Sequence, residues 1–201
     1  MTSRFAPRSP DDVARLVLNH PLAWVVSPTG PNASLLPLRP VFGPEGEITQ
    51  LLGHFARTNP QVEVLKSDGR ALVLFLGPQG YISPSFGGDR TQAPTWSYAS
   101  AQFLVDLAFT DAPADIERLL ADLASAMEAN RPEPWTLKEM GGRYETLARG
   151  VIGFRAHVIE ARIRFKLGQD ERRDHLPNIL SSLDAGGAND LAGWMRRQNP
   201  A

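Results

Sequence analysis

One long stretch of alternating hydrophobicity, residues 151–167, sets the terms for the rest of the chain. Apolar side chains fall at Ile152, Phe154, Ala156 and Val158, and then at Ala161, Ile163, Phe165 and Leu167. Each set alternates with its neighbours at the period of two expected of a strand with one buried face. Between the sets the phase slips by one residue. A bulge near Ile159-Glu160 would return both sets to a single inward face. Shorter apolar runs at 22–27, 33–38 and 48–55 are separated by Pro28-Thr29-Gly30-Pro31-Asn32 and by Gly43-Pro44-Glu45-Gly46-Glu47. That turn chemistry predicts a meander of three strands. Residues 71–76 form a continuous apolar run suited to a strand buried on both faces. A return strand is expected at 80–83, a Gly-rich polar loop at 85–94, and a further strand at 96–109.

Helices are inserted between these runs. Ser9-Pro10-Asp11-Asp12 reads as an N-cap, a proline at the first helical position and acidic residues on the positive end of the dipole, before Val13, Leu16 and Val17. Asn59-Pro60 opens a short helix carrying Val62 and Leu65. Residues 112–130 place Ile116, Leu119, Leu120, Leu123 and Met127 at spacings of three and four, so this helix is expected to cover the core. A second helical stretch ends near Arg149-Gly150, and helices at 176–183 and 191–197 flank Gly186-Gly187. Six or seven strands in mostly antiparallel meanders, with helices inserted, make a mainly β, α+β protein. They describe a closed or partly closed barrel better than a doubly wound parallel sheet. With 201 residues, the length fits one domain over 1–169 and a helical extension over 170–201 packed on the barrel or on a dimer partner.

Composition excludes several chemistries. The chain has no cysteine, hence no disulfide framework, no thiolate nucleophile and no Cys-ligated metal. No two of the four histidines stand three or four residues apart, so no helical histidine pair exists to hold a metal, and no metal site is expected. Twenty-one Lys plus Arg against 22 Asp plus Glu leave a formal charge of -1, which argues against generic binding to a phosphate backbone. No apolar run approaches the ~18 residues of a membrane span, and residues 1–10 carry no hydrophobic core of a signal peptide. A cytoplasmic protein with no membrane association is the expectation. No G-x-S-x-G elbow is present, and a hydrolytic triad has no support.

Two segments could carry chemistry. In Gly53-His54-Phe55-Ala56-Arg57-Thr58-Asn59-Pro60 a strand ends and a helix begins. The Arg57 guanidinium, the Thr58 hydroxyl and the free N–H groups of the helix start could hold a phosphate, with His54 as a further donor. The plainer reading is an ordinary capped helix with a solvated arginine. In Gly77-Pro78-Gln79-Gly80-Tyr81-Ile82-Ser83-Pro84-Ser85-Phe86-Gly87-Gly88, followed by Pro94-Thr95-Trp96-Ser97-Tyr98, rings, hydroxyls and glycines concentrate where strands meet a loop. This mixture suits a flat heteroaromatic ligand, and equally suits aromatic packing at a barrel mouth. Lys166 closes the long strand. Alternation puts Arg162, Arg164 and Lys166 opposite Ile163 and Phe165, on a polar outer face that could also meet phosphate.

Pro21-Leu22-Ala23, Leu36-Pro37-Leu38, the blocks at 53–61, 77–85 and 94–98, Pro134-Trp135, Gly150-Val151-Ile152-Gly153-Phe154 and Lys166-Leu167-Gly168-Gln169 resemble, in order, the PaiB family. The match runs nearly end to end. The resemblance implies a flavin-mononucleotide (FMN)-binding split β-barrel, similar to that of the pyridoxamine-phosphate oxidase group. It further implies a homodimer with flavin at the subunit interface and the role of a negative transcriptional regulator. The strand around Ser34 and Leu36 and the turn from His54 to Thr58 would meet the flavin, with Arg57, Thr58 and Lys166 assigned to phosphate. Tyr81, Ser83, Thr95, Trp96 and Tyr98 fall in the blocks assigned to the ring. The chain departs from the family pattern chiefly in the ring-binding loop, where Gln79 stands in place of a usual histidine and Phe86-Gly87 in place of two large aromatics.

Three functions compete: a regulatory flavin binder working with a protein partner, an FMN-dependent oxidoreductase or flavin reductase, and a direct DNA-binding repressor. The last would read 176–183 and 191–197 as a helix-turn-helix. It ranks lowest because only Arg196 and Arg197 bring charge there, while Leu191, Trp194 and Met195 make a docking face.

Overall fold

The computed structural model describes residues 3–29 and 32–200. Along them run helix α1 (Pro10–Asn19), strands β1 (Leu22–Val26), β2 (Ala33–Pro37), β3 (Arg39–Phe42) and β4 (Ile48–Ala56), and helix α2 (Gln61–Ser67). Strand β5 (Arg70–Ile82), the short α3 (Pro84–Gly87), β6 (Thr95–Thr110) and α4 (Pro113–Glu128) follow, then α5 (Arg143–Ala148), β7 (Val151–Lys166), α6 (Leu176–Ala185) and α7 (Asn189–Gln198). The strands form a seven-stranded sheet in the order β2-β1-β5-β6-β7-β4-β3. The pairs β1–β2, β3–β4 and β4–β7 are antiparallel. Of the turn expected between the first two strands, Gly30 and Pro31 lie outside the described residues.

Three expectations need correction. The two strands expected at 71–76 and 80–83 are one strand, β5. Its inward positions change parity at Gly77-Pro78, with Ala71, Val73 and Phe75 buried before the dipeptide and Pro78 and Ile82 after it. A Cβ at Gly77 would stand 2.2 Å from Leu16 Cδ1 of α1, so any side chain there would have to displace the buried Leu16. The meander has a fourth strand, β3, which its proline disguised. β3 ends the sheet order, and Pro40 is tolerated at such an edge, where a missing N–H breaks no inner ladder. Finally, α4 covers less than its periodicity promised. Ile116 is its single fully buried side chain, Leu119, Leu120 and Leu123 are half-buried, and Met127 is exposed.

The long strand follows its pattern at both ends but not in the middle, where Ala161, expected inward, is exposed and Val158 and Ile163 are half-buried. Ile152, Phe154 and Ala156 are buried at even positions, Phe165 and Leu167 at odd ones, and residues 159–162 between them are exposed.

The chain divides into two compact units, one of residues 1–20, 75–101 and 162–201, the other of 21–74 and 102–161. In the first, Trp194 packs edge-on against Phe165 with centroids 5.6 Å apart. The buried Asp12 carboxylate accepts from Gln198 Nε2 at 3.0 Å and from the Arg8 N–H at 3.1 Å, which ties α1 to α7. In the second, the rings of Phe55, Phe109 and Phe154 form a cluster with centroids 5.1 to 6.4 Å apart. Burying a side chain of this size is worth ~1.5 to 3 kcal/mol, so this triplet is a principal anchor of β4 and β7.

Candidate functional site

In the second unit the turn after β4 is held by side chains on either side of it. Asn59 Nδ2 donates to Ser34 Oγ at 2.8 Å, fastening the turn to β2. Asn59 Oδ1 accepts the Gln61 N–H at 2.9 Å, and the Asn59 carbonyl accepts the Val62 N–H at 3.0 Å. Two of the N–H groups that the sequence offered to a phosphate are therefore already used. Gln61 itself is buried, and its Nε2 donates to the Val25 carbonyl, Ser27 Oγ and the Asn32 carbonyl at 2.8, 2.9 and 3.2 Å. This pins the start of α2 to the end of β1.

Arg57 and Thr58 are left at the exposed crest. Thr58 has no hydrogen-bond partner among the described residues, so its hydroxyl is available. Arg57 is partly committed: its N–H donates to the Gly150 carbonyl at 2.9 Å and its Nε to the Arg149 carbonyl at 3.0 Å, while Nη1 lies 4.0 Å from Asp111 Oδ2. It borders a cleft of about 410 Å³ that also exposes Asp111, Glu117, Tyr144 and Glu145. The Tyr144 hydroxyl is pushed up from its ordinary value, first by desolvation and then by the Glu117 charge. His54 points from β4 with a buried Nδ1 that finds no partner among the described residues, and burial lowers its pKa. A histidine held neutral is a weak phosphate ligand, so burial moves His54 toward a hydrogen-bonding role. Ser34 and Leu36 lie on the inner side of β2. Their register partners on β1 are the buried Val25 and Ala23.

The first unit gathers the aromatic residues. Trp96 and Tyr81 are 51% and 47% exposed, with ring centroids 6.0 Å apart at 59°. Trp96 Nε1 donates to Gln79 Oε1 at 2.6 Å, which fixes the indole plane. Tyr98 accepts from Arg164 Nε at 3.0 Å, and the same guanidinium lies 4.5 Å over the ring of Phe5. Lys166 Nζ donates to Thr95 Oγ1 and sits 3.8 Å from Asp170 Oδ2, so its charge is already answered. Ser83 caps α3, accepting the Ser85 N–H at 3.2 Å. In the following loop, hydrogen bonds from the Thr91 hydroxyl, the Gln92 amide and the Thr91 N–H pull the Asp89 carboxyl down to about 2.

The structure thus joins Ser34 to the phosphate turn through Asn59, and joins Tyr81 to Trp96 and Thr95 to Lys166. Of the residues that hold these groups, Asn59 was read only as a helix start, Gln79 only as a departure from the family pattern, and Gln61 was given no role. The available signal was their place in the quoted blocks, Asn59 and Gln61 just after Thr58 and Gln79 two residues before Tyr81.

Comparison with known proteins adds the lineage. Residues 1–160 match the family described as "Putative FMN-binding domain". The chain is 28% identical over 154 residues to the protease synthase and sporulation protein PAI 2 of Bacillus subtilis, covering 76% of this chain and 72% of that protein. Among solved structures it is similar to an FAD and heme binding protein of Mycobacterium smegmatis, at 17% identity and a TM-score of 0.58 over 87% of this chain and 78% of that one. It is also similar to a conserved hypothetical protein of Mycobacterium tuberculosis, at 12% identity and a TM-score of 0.59 over 83% and 89% of the two chains. At such identities the likeness carries the fold alone, the split β-barrel with inserted helices that the PaiB resemblance implied.

Proposed function

The chain belongs to the FMN-binding family that its match over residues 1–160 defines, and from that membership we propose that it works as a regulatory flavin binder, a homodimer acting through a protein partner in the cytoplasm. Residues 1–169 are assigned to flavin binding and 170–201 to the helical extension. The observation that carries the reading is the Ser34–Asn59 tie, with Gln61 anchored beneath it. It holds the Thr58 hydroxyl and the outer nitrogens of Arg57 at one crest, where a phosphate would find donors already oriented. In the first unit the exposed Trp96 and Tyr81 rings, with Gln79 as latch, make by themselves a surface that suits a flat heteroaromatic ligand. In the second unit His54 and Leu36 are assigned with the crest, and in the first Ser83, Thr95 and Tyr98 are assigned with the rings. Lys166, already bonded to Thr95, belongs with the ring group more than with the phosphate. When bound, FMN supplies one- and two-electron redox chemistry, and the protein binds and orients it.

No helix among the described residues is long and apolar enough to cross a membrane. Dimerisation is supported by the outer side of β1 and β2. There Trp24 and Leu35 stand directly opposite each other in the register, 49% and 43% exposed, with Leu22 alongside. An apolar strand face of this kind marks an interface.

The test is a parallel titration with FMN and riboflavin. Arg57→Ala is expected to weaken FMN binding by about one to two decades and riboflavin binding far less, since a charge-assisted hydrogen bond contributes ~1.5 to 3 kcal/mol. Equal loss for both ligands would give Arg57 a structural role. Anaerobic addition of reduced nicotinamide then separates regulator from oxidoreductase: rapid bleaching of the bound flavin favours the enzyme.

A further inference from the structure

A cleft in the second unit, where α4 crosses β3, β4 and β7, takes no part in the flavin assignment. The register builds its floor. Arg39 lies opposite Leu52, and Leu52 lies opposite Arg155, so these three side chains leave the same sheet face with the leucine in the middle. Neighbouring strands are ~4.8 Å apart, which sets the two arginine stems roughly 10 Å from each other. α4 can lie close because Gly153, two residues before Arg155 on that face, has no side chain. A Cβ there would stand 3.1 Å from Ile116 Cδ1 and 3.2 Å from Thr110 Cγ2. Between helix and strands remains a cleft of about 350 Å³ with Val41, Leu52 and Leu119 among its apolar walls. Such a volume falls at the lower end of the ~300 to 1,000 Å³ typical of small-molecule sites.

The charges of the cleft decide what it would take. Asp122 Oδ2 accepts from Arg39 Nε at 3.2 Å. Asp115 accepts from the Thr110 hydroxyl and from Arg118 Nη1, both at 3.1 Å. Both carboxylates are thereby matched by an arginine. Arg155 has neither hydrogen bond nor ion pair among the described residues, and it borders the same cleft. One planar cation is left over beside an apolar floor. Its fork matches a carboxylate, whereas a doubly charged phosphate would bring its second charge toward Asp115 and Asp122.

We propose that this cleft binds a small monoanionic organic acid, its carboxylate on the Arg155 guanidinium and its apolar body against Val41, Leu52 and Leu119. The inference goes beyond the flavin reading and its readout needs no flavin, so the two stand or fall separately.

The experiment follows the Arg155 Nε–H and the Leu52 and Leu119 methyl groups by NMR while phenylacetate, or the neutral phenylacetamide, is added to the full chain. Phenylacetate is expected to give saturable shifts at these three positions in the about millimolar range, with phenylacetamide at least about tenfold weaker. Arg155→Gln should weaken phenylacetate by about one to two decades, because the lost contact is charge-assisted. This side chain is exposed and makes no contact the fold depends on, so the variant should fold. Arg155→Lys, which keeps the charge without the fork, should recover part of the loss. Equal affinity for acid and amide, or for wild type and Arg155→Gln, overturns the proposal, as does a lack of saturable shifts. Displacement of phenylacetate by FMN overturns it too, by handing Arg155 to the flavin.

Discussion

Gln61→Leu tests whether the buried amide under the phosphate turn holds the local structure together. The side chain is 2% exposed and its Nε2 faces three acceptors, the Val25 and Asn32 carbonyls and Ser27 Oγ. Leucine matches its size but offers no donor. The Asn32 carbonyl keeps the Ser27 N–H at 3.0 Å and is not stranded. The Val25 carbonyl keeps the Ser34 N–H opposite it in the β1–β2 ladder, so the Ser27 hydroxyl alone loses a donor, and a buried acceptor left unmet costs ~1 to 3 kcal/mol. Against this, leucine removes Gln61 Oε1, which is buried without a partner, and recovers about 1 kcal/mol. The balance is a loss of up to roughly 2 kcal/mol, or up to about 8 °C in Tm for a chain of this size. Thermal melting followed by circular dichroism measures it. Gln61→Glu sharpens the test, because a carboxylate there would face three oxygens. Its folded-state pKa would lie above the unfolded ~4.3, so the folded state would bind the extra proton. Stability should then be lowest at neutral pH and recover as the pH falls toward ~4.3. Melting of both variants within about 1 °C of the wild type, with no pH dependence in the glutamate variant, would refute the assignment of the amide as an anchor.

Two further outcomes follow from named groups. Burial lowers the His54 pKa, so the native state favours the neutral ring, and stability should be lost as pH falls from the unfolded ~6.5 through the lowered folded value; in His54→Phe that part of the loss should vanish, whereas urea midpoints that run parallel to wild type over pH 7 to 5 would remove burial as the cause. Trp24→Glu with Leu35→Glu should convert a dimer into a monomer by light scattering at micromolar concentration, and a wild type that is itself monomeric would dismiss the β1–β2 face as the interface.

What could be read from the sequence was set by whether a residue's partner is local. The period of two survives folding at both ends of 151–167, with the change of parity between them, because burial of one face acts on every second residue; it lapses at 159–162, where neither face is buried. The helix of 176–185 and the break after it were legible for the same reason. Proline hid β3, since its penalty in a strand vanishes at an edge that only the finished sheet reveals. Gly77-Pro78 looked like a turn because nothing local announces that Leu16, some sixty positions earlier, needs the space. At the candidate site the donors Arg57 and Thr58 were visible as residue types. Their supports were not, because Asn59 reaches back to Ser34, and Gln61 to Val25, across separations that no window on the sequence spans.

The C-terminal helices bear on the proposed regulatory role. Leu191, Ala192, Trp194, Met195 and Gln198 are buried, so the face of α7 left to solvent carries Asp190, Gly193, Arg196 and Arg197. Asp190 approaches His20 Nε2 at 3.6 Å, and Arg196 is paired with Asp184. Arg197 is then the one cation on that face without an ion pair among the described residues. Each phosphate neutralised contributes about -0.9 to the salt slope of DNA binding, and DNA-binding proteins typically make ~6 to 10 such contacts. A helix offering one free cation beside a carboxylate falls far short of that. Turning α7 to present its other face would pull Trp194 off Phe165 and Gln198 off Asp12, exposing a buried carboxylate. The buried face of α7 is therefore committed to the body it packs on, and its solvent face offers a phosphate backbone little free charge.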